Sequence, residues 1–227
     1  MRFPGLTITI SDLLIIWFFP VLLCSITFFF GFILLYLLLL SPITFLFKQD
    51  LEYKIRKKRQ LLSGRKVRSE FFYILGLLLL DNGLQATLLY RLSHWFATHH
   101  LGLLASICHS FSKFLTHIDI SPYAEIGPGL TLYHGIGIVI GKFTRLGSRV
   151  TVCQNVTTGS GRPNIGNDVT LWAGAKIIGN VVVGDHAEVG ANAVVIKDVP
   201  PFSIAVGIPA SRIMPKSDQT NKIFTHD

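Results

Sequence analysis

The stretch Ile165–Val195, IGNDVTLWAGAKIIGNVVVGDHAEVGANAVV, places an apolar residue at every sixth position: Ile165, Leu171, Ile177, Val183, Val189 and Val195. Gly often follows directly, and a small or branched residue sits four places on at Val169, Ala175, Ala187 and Ala193. A helix repeats every 3.6 residues and a strand every two, and neither leaves a six-residue beat with glycine in phase. The beat extends upstream through Ile120, Ile126 and Leu132, then Ile140, Leu146 and Val152, with Ala124, Val150 and Val156 in the small-residue position. Twelve positions in phase predict a parallel β-helix in which three hexapeptides form one coil of about eighteen residues. Coils stack at the strand spacing of ~4.8 Å, and the sixth residues make one continuous core.

The register slips twice. The first slip lies between Leu132 and Ile140, within Leu130–Gly141, LTLYHGIGIVIG. The second lies between Val152 and Ile165, where the Gly/Pro-rich TTGSGRPN is expected to leave the prism as a short loop. Regular coils are scaffold, and departures are where side chains can be re-aimed. A titratable imidazole, His134, sits on the first departure.

Upstream the texture is different. From Leu13 to Leu40 no residue is charged, and twenty-eight residues at ~1.5 Å each span ~42 Å, more than the ~30 Å hydrocarbon core needs. Residues 1–47 are therefore expected to form a membrane segment, spanning with a kink or re-entrant at Pro20 and Gly31. The following KQDLEYKIRKKRQLLSGRKVR, Lys48 to Arg68, carries nine basic residues against two acidic. The positive-inside rule puts this side in the cytoplasm, at the bacterial inner membrane, and reads 48–70 as a basic juxtamembrane linker on anionic head groups. Much of the formal charge of +8 is thereby explained without a nucleic-acid partner. Cys24, Cys108 and Cys153 have no CxxC spacing and form no even set, so neither a disulfide framework nor a metal site is expected. Residues 71–117 read as a small α-helical region, with Leu84, Leu88, Leu92 and Trp95 on one helical face. The β-helix is expected over 118–213, with a polar tail over 214–227.

Asp119–Gly141, DISPYAEIGPGLTLYHGIGIVIG, resembles the start of the left-handed β-helix in serine acetyltransferases and related hexapeptide-repeat acyltransferases. The likeness continues through Gly174–Ala210, including VGIPA, and upstream through GLQATLLYRLSHW, so it covers roughly Gly83 to Ile213. It implies a mainly β fold, a left-handed parallel β-helix of hexapeptide repeats. It also implies a homotrimer with acetyl-CoA as co-substrate, bound in a groove between prisms, and no permanently bound cofactor. Carried over residue by residue, His134 becomes the general base and Asp119, fifteen positions earlier, its orienting carboxylate. An imidazole titrates near working pH, and base catalysis contributes roughly 10²–10⁴-fold. A carboxylate on the other ring nitrogen would fix the tautomer and stabilise the imidazolium. The resemblance puts Gly159, Ala173, Gly174 and Ala191 on the pantetheine wall, with Lys176, Lys197 and Arg212 as candidates for the CoA phosphates.

Two departures from the family pattern bear on the acceptor. The family carries an aspartate just before the histidine, where this chain has Tyr133, and a second histidine in the later loop, where this chain has Arg162. A serine zwitterion needs a carboxylate for its ammonium group. Tyr133 and Arg162 are therefore taken as acceptor-binding residues for a saccharide or lipid-linked glycan, the likeness being to capsule and exopolysaccharide O-acetyltransferases. The expected function is O-acetylation of a saccharide hydroxyl in surface polysaccharide or glycan biosynthesis. Serine O-acetylation in cysteine biosynthesis is the alternative, and a non-catalytic β-helix scaffold a third reading.

Overall fold

A hexapeptide allows only about two residues of strand before the chain must turn a corner, and the structure is built on that limit. It is a computed structural model describing residues 42–61 and 70–215, together with Gly31. The chain divides into two units at Thr44/Phe45, and all that follows concerns the second. The first face stacks β1 (Asp119–Ile120), β4 (Val139–Ile140), β7 (Thr157–Gly159), β10 (Lys176–Ile178) and β13 (Val194–Val195). The second stacks β2 (Glu125–Ile126), β5 (Arg145–Leu146), β8 (Asn164–Ile165) and β11 (Val182–Val183). The third stacks β3 (Thr131–Leu132), β6 (Thr151–Val152), β9 (Thr170–Leu171), β12 (Glu188–Val189) and β14 (Ser203–Val206), closed by the antiparallel β15 (Arg212–Pro215). All other ladders are parallel, as a parallel β-helix requires.

The register is the one the six-residue beat predicts. Ile126, Leu146, Ile165 and Val183 align on the second face, and Leu132, Val152, Leu171 and Val189 on the third. All twelve beat positions are buried, and so are the seven small or branched residues between them. Each buried branched side chain contributes roughly 1.5–3 kcal/mol, so the column is the main source of stability.

The second register slip is smaller than expected. On the first face Ile140 pairs with Thr158 and Thr158 with Ile177, so Thr158 fills the inward slot with its side chain buried. Its hydroxyl is satisfied by Thr144 Oγ1 at 2.9 Å. The beat therefore continues through TTGSGRPN, and only one extra residue is absorbed at the corner; no loop leaves the prism. The first slip is real, and it forms the His134–Gly137 corner. Gly137 has φ +69°, a conformation that favours glycine, and a Cβ there would press on the Asn155 side chain.

Four helices precede the coils among the described residues: α1 (Pro42–Leu61), α2 (Glu70–Leu80), α3 (Asn82–Thr98) and α4 (Gly102–Thr116). Asp81 caps α3, its carboxylate accepting from Leu84 N at 2.9 Å. α3 closes the open end of the first coil. Ala86 and Tyr90 join the core, and the Tyr90 hydroxyl donates to Ala124 O at 2.7 Å. The close approach is permitted by Gly83, where a Cβ would lie 2.7 Å from Leu132 O.

The basic stretch expected as a juxtamembrane linker is, from Lys48 to Leu61, part of α1, which runs along the third face. Asp50 accepts from Gly129 N and Leu130 N at 2.7 and 2.9 Å, Lys54 donates to Leu132 O at 3.1 Å, and Lys57 to Thr151 Oγ1 at 2.6 Å. Asp50, Lys54 and Lys57 recur at helical spacing, so α1 turns a polar stripe inward. The buried Asp50 forms a two-point ion pair with the buried Arg91 of α3, at 3.0 and 3.1 Å. Arg91 also donates to Ile126 O and Gly127 O. Burial pushes the Asp50 carboxyl up from its ordinary range, against the pull of Arg91 and the two amides.

Apart from Gly31, the apolar run Leu13–Leu40 lies outside the described residues. Among those described, no single helix is long and apolar enough to cross a membrane; α2 and α3 pass only as a pair bent by 74°. One side of α3 is covered by the coils, with Leu84, Ala86, Thr87, Tyr90, Arg91 and Ser93 buried.

Candidate active site

Successive coils share three edges, and the position of a residue within its hexapeptide decides which edge it occupies. His134, Ala173, Gly174 and Ala191 all fall between a third-face strand and the next first-face strand, so they line one edge. Backbone bonds tie this edge together: Asn155 N donates to Ile136 O, Gly174 N to Gln154 O and Asn192 N to Ala173 O, at 2.8–2.9 Å. Lys176 opens β10 beside it, and its ammonium donates to Asn155 O at 2.5 Å and Thr157 Oγ1 at 3.1 Å. Gly159, Arg162 and Lys197 occupy the opposite edge of the first face. Arg162 is exposed there, its guanidinium over the Phe143 ring at 5.3 Å. Within one chain the structure thus brings His134 together with the small residues of one edge, and sets Arg162 apart from it. Arg212 lies in the closing strand β15.

His134 is exposed, adopts φ +51°, and its imidazole has no hydrogen-bond partner among the described residues. It is held out by its backbone alone. Asn82 Nδ2 of α3 donates to Gly135 O at 3.3 Å, and Gly137 N to His117 O at 3.2 Å, bracing the corner from two sides.

Asp119 makes no hydrogen bond to His134. Its carboxylate is taken by α4, with His109 Nε2 at 2.8 Å from Oδ1 and Lys113 Nζ at 3.5 Å from Oδ2. The expected His134–Asp119 contact is not formed within the chain, and the partners of the carboxylate are instead two residues one helical turn apart on α4. His109 and Lys113 were missed by sequence reasoning. The available signal was their i, i+4 spacing on a helix that feeds directly into β1.

Tyr133 does not present its hydroxyl to an acceptor. Thr131 in β3 and Tyr133 just after it flank the inward Leu132, so they point out of the third face, where α1 covers them. The Tyr133 hydroxyl is buried with no hydrogen-bond partner among the described residues, and burial pushes its pKa up. Cys153, two residues beyond Thr151 in the next coil, is buried and pushed up for the same reason. Lys54, close by, is held by the Asp81 carboxylate, and burial pulls its pKa down against that pairing. A cavity of about 450 Å³ on the second face is lined by His94, Glu125, Arg145, Asn164 and Asn167 among others, and none of the site residues expected from sequence reaches it. No group of His, Cys, Asp or Glu among the described residues is placed to hold a metal ion.

The bacterial transferase hexapeptide (six repeats) family matches residues 162–197. A serine acetyltransferase of Helicobacter pylori is 43% identical over 143 residues, covering 60% of this chain and 84% of that protein. The chain belongs to the serine acetyltransferase family. Solved serine acetyltransferases agree with it in three dimensions. One from Neisseria gonorrhoeae in complex with serine is 29% identical with a TM-score of 0.67, covering 78% of this chain and 71% of that one. A serine acetyltransferase in complex with CoA is 31% identical with a TM-score of 0.67, covering 76% and 69%. As a member of the serine acetyltransferase family the chain is an acyltransferase with acetyl-CoA as co-substrate. The same similarity overturns the expectation of a saccharide acceptor and of closeness to polysaccharide acetyltransferases. The relatives are serine acetyltransferases, and Tyr133, on which the sugar reading leaned, is turned under α1.

Proposed function

We propose that this protein transfers the acetyl group of acetyl-CoA to the hydroxyl of L-serine. The observation that carries the reading is the identity with the Helicobacter pylori serine acetyltransferase across most of that enzyme's length. The geometry supports it through one exposed imidazole, free of structural hydrogen bonds, on a rigid edge lined by small residues. In the step assigned to it, His134 accepts the proton of the serine hydroxyl as that oxygen attacks the thioester carbonyl. The C–S bond then breaks, and the imidazolium returns the proton to the departing CoA sulfur. Ala173, Gly174 and Ala191 leave room along the edge for an extended chain, and Lys176 carries positive charge at its border.

The test is release of CoA thiol by the purified chain with acetyl-CoA, with and without L-serine. Saturable serine-dependent release, with O-acetylserine as product, is expected; thiol release that ignores serine would refute the assignment.

We further infer a left-handed coil, a homotrimer with the site between prisms, and attachment to the inner face of the bacterial cytoplasmic membrane through Leu13–Leu40. The supports are the hexapeptide resemblance and the uncharged run followed by basic residues. Retention in carbonate-washed membranes, and a solubilised mass of three chains, are the expected results. Release of the chain by carbonate, or a monomeric mass, would contradict them.

A further inference from the structure

A helix packed on a folded scaffold ordinarily turns its large apolar side chains inward. α4 does the reverse. At about 100° per residue its positions fall into three arcs. The inward arc is made of small residues: Ala105, Ser112 and Thr116 are buried, and Cys108 Sγ donates to Leu89 O of α3 at 3.4 Å. The second arc is polar, with Ser106, Ser110, His109 and Lys113, and the hold of the last two on Asp119 fixes the helix against rolling. Leu103, Leu104, Ile107, Phe111, Phe114 and Leu115 make the third arc, a band about 120° wide. All six face out, Leu103 being 76% exposed and Phe114 80%.

Charge and attachment choose what covers the band. From Asn82 to Ile118 the chain holds no Asp or Glu, so nothing on α3, on α4 or between them repels an anionic head group. His99, His100 and Lys113 are exposed and can donate to phosphate. A second copy facing this band would bring no counter-charge to those groups, whereas an anionic bilayer supplies it. The chain also carries the uncharged run Leu13–Leu40, to which membrane attachment is assigned, and the present inference rests on that reading. We propose that the apolar band of α4 lies in the surface of an anionic lipid bilayer, its side chains among the upper acyl chains and its polar arc toward water. Such helices sink their apolar face ~5–10 Å into the boundary between head groups and acyl chains. The first coil, which α4 enters at Asp119, is thereby held against the membrane.

The full chain in vesicles of phosphatidylethanolamine and phosphatidylglycerol tests this, with phosphatidylglycerol brominated on its acyl chains as a quencher confined to the bilayer. The tryptophan added by Phe111→Trp or by Phe114→Trp is read as the difference from the parent chain, and Ser106→Trp places one on the polar arc. The first two are expected to lose most of the added emission, more to bromine near the carbonyl end of the acyl chain than near its methyl end. The third is expected to keep its emission. Carbonate-resistant retention on the same vesicles reports on Leu13–Leu40 separately. A retained chain with no quenching at 111 and 114, or with equal quenching at all three positions, would overturn the proposal and leave the attachment standing. A chain released by carbonate would remove the attachment and this inference with it. Acrylamide, a quencher confined to water, identifies the rival: added indoles at 111 and 114 shielded from both quenchers would give the band to a protein, a second copy included, and overturn the proposal.

Discussion

His134→Asn is expected to lower kcat by about 10²–10⁴-fold, the span that general-base catalysis supplies, while circular dichroism and melting stay as they are. Two features of the corner make that separation of effects possible. The imidazole bonds to nothing among the described residues, so its loss leaves no buried partner unmatched. The backbone at 134 is left-handed, with φ +51°, and asparagine tolerates that region better than most residues. His134→Ala removes the same base but adds backbone strain, so comparison of the two variants separates chemistry from folding. Retention of more than about a tenth of wild-type turnover by the asparagine variant would remove His134 from the mechanism.

The second large effect concerns stability. Asp50→Ala is expected to cost about 3–5 kcal/mol, because it leaves the Arg91 guanidinium buried without its counter-charge. It also strips the acceptor from Gly129 N and Leu130 N. Against a total folding stability of about 5–15 kcal/mol this is a large fraction, readable as a lowered urea midpoint. Asp50→Leu combined with Arg91→Met removes the unpaired charge and is expected to recover only that part of the loss, because Gly129 N, Leu130 N, Ile126 O and Gly127 O stay without their side-chain partners. A single variant no less stable than the parent would mean that α1 does not depend on this pair for its seat on the third face.

The six-residue beat was legible because it was written in apolar residues, and each of its twelve positions is inside the prism. Thr158 was not legible, because a polar residue in an inward slot breaks an apolar pattern while its hydroxyl is satisfied out of sight by Thr144. The seat of α1 was hidden for a related reason. Asp50, Lys54 and Lys57 read as surface charge in a sequence, and only tertiary structure supplies the backbone and side-chain partners that let them turn inward. The sugar reading failed on direction. Tyr133 follows the inward Leu132, so alternation sends it out of the third face, and a helix placed some eighty residues earlier covers that face. His134 was legible through the first register slip; the grip of His109 and Lys113 on Asp119 depended on where α4 lands.

A stack of parallel coils is in principle endless, since its last rung offers the same unpaired amides and carbonyls as every rung before it. Here β15 returns against β14 in the opposite sense, and α3 plugs the other end. Growth by addition of another molecule to either terminus is thereby blocked, and what could have been a filament is confined to a prism of fixed length.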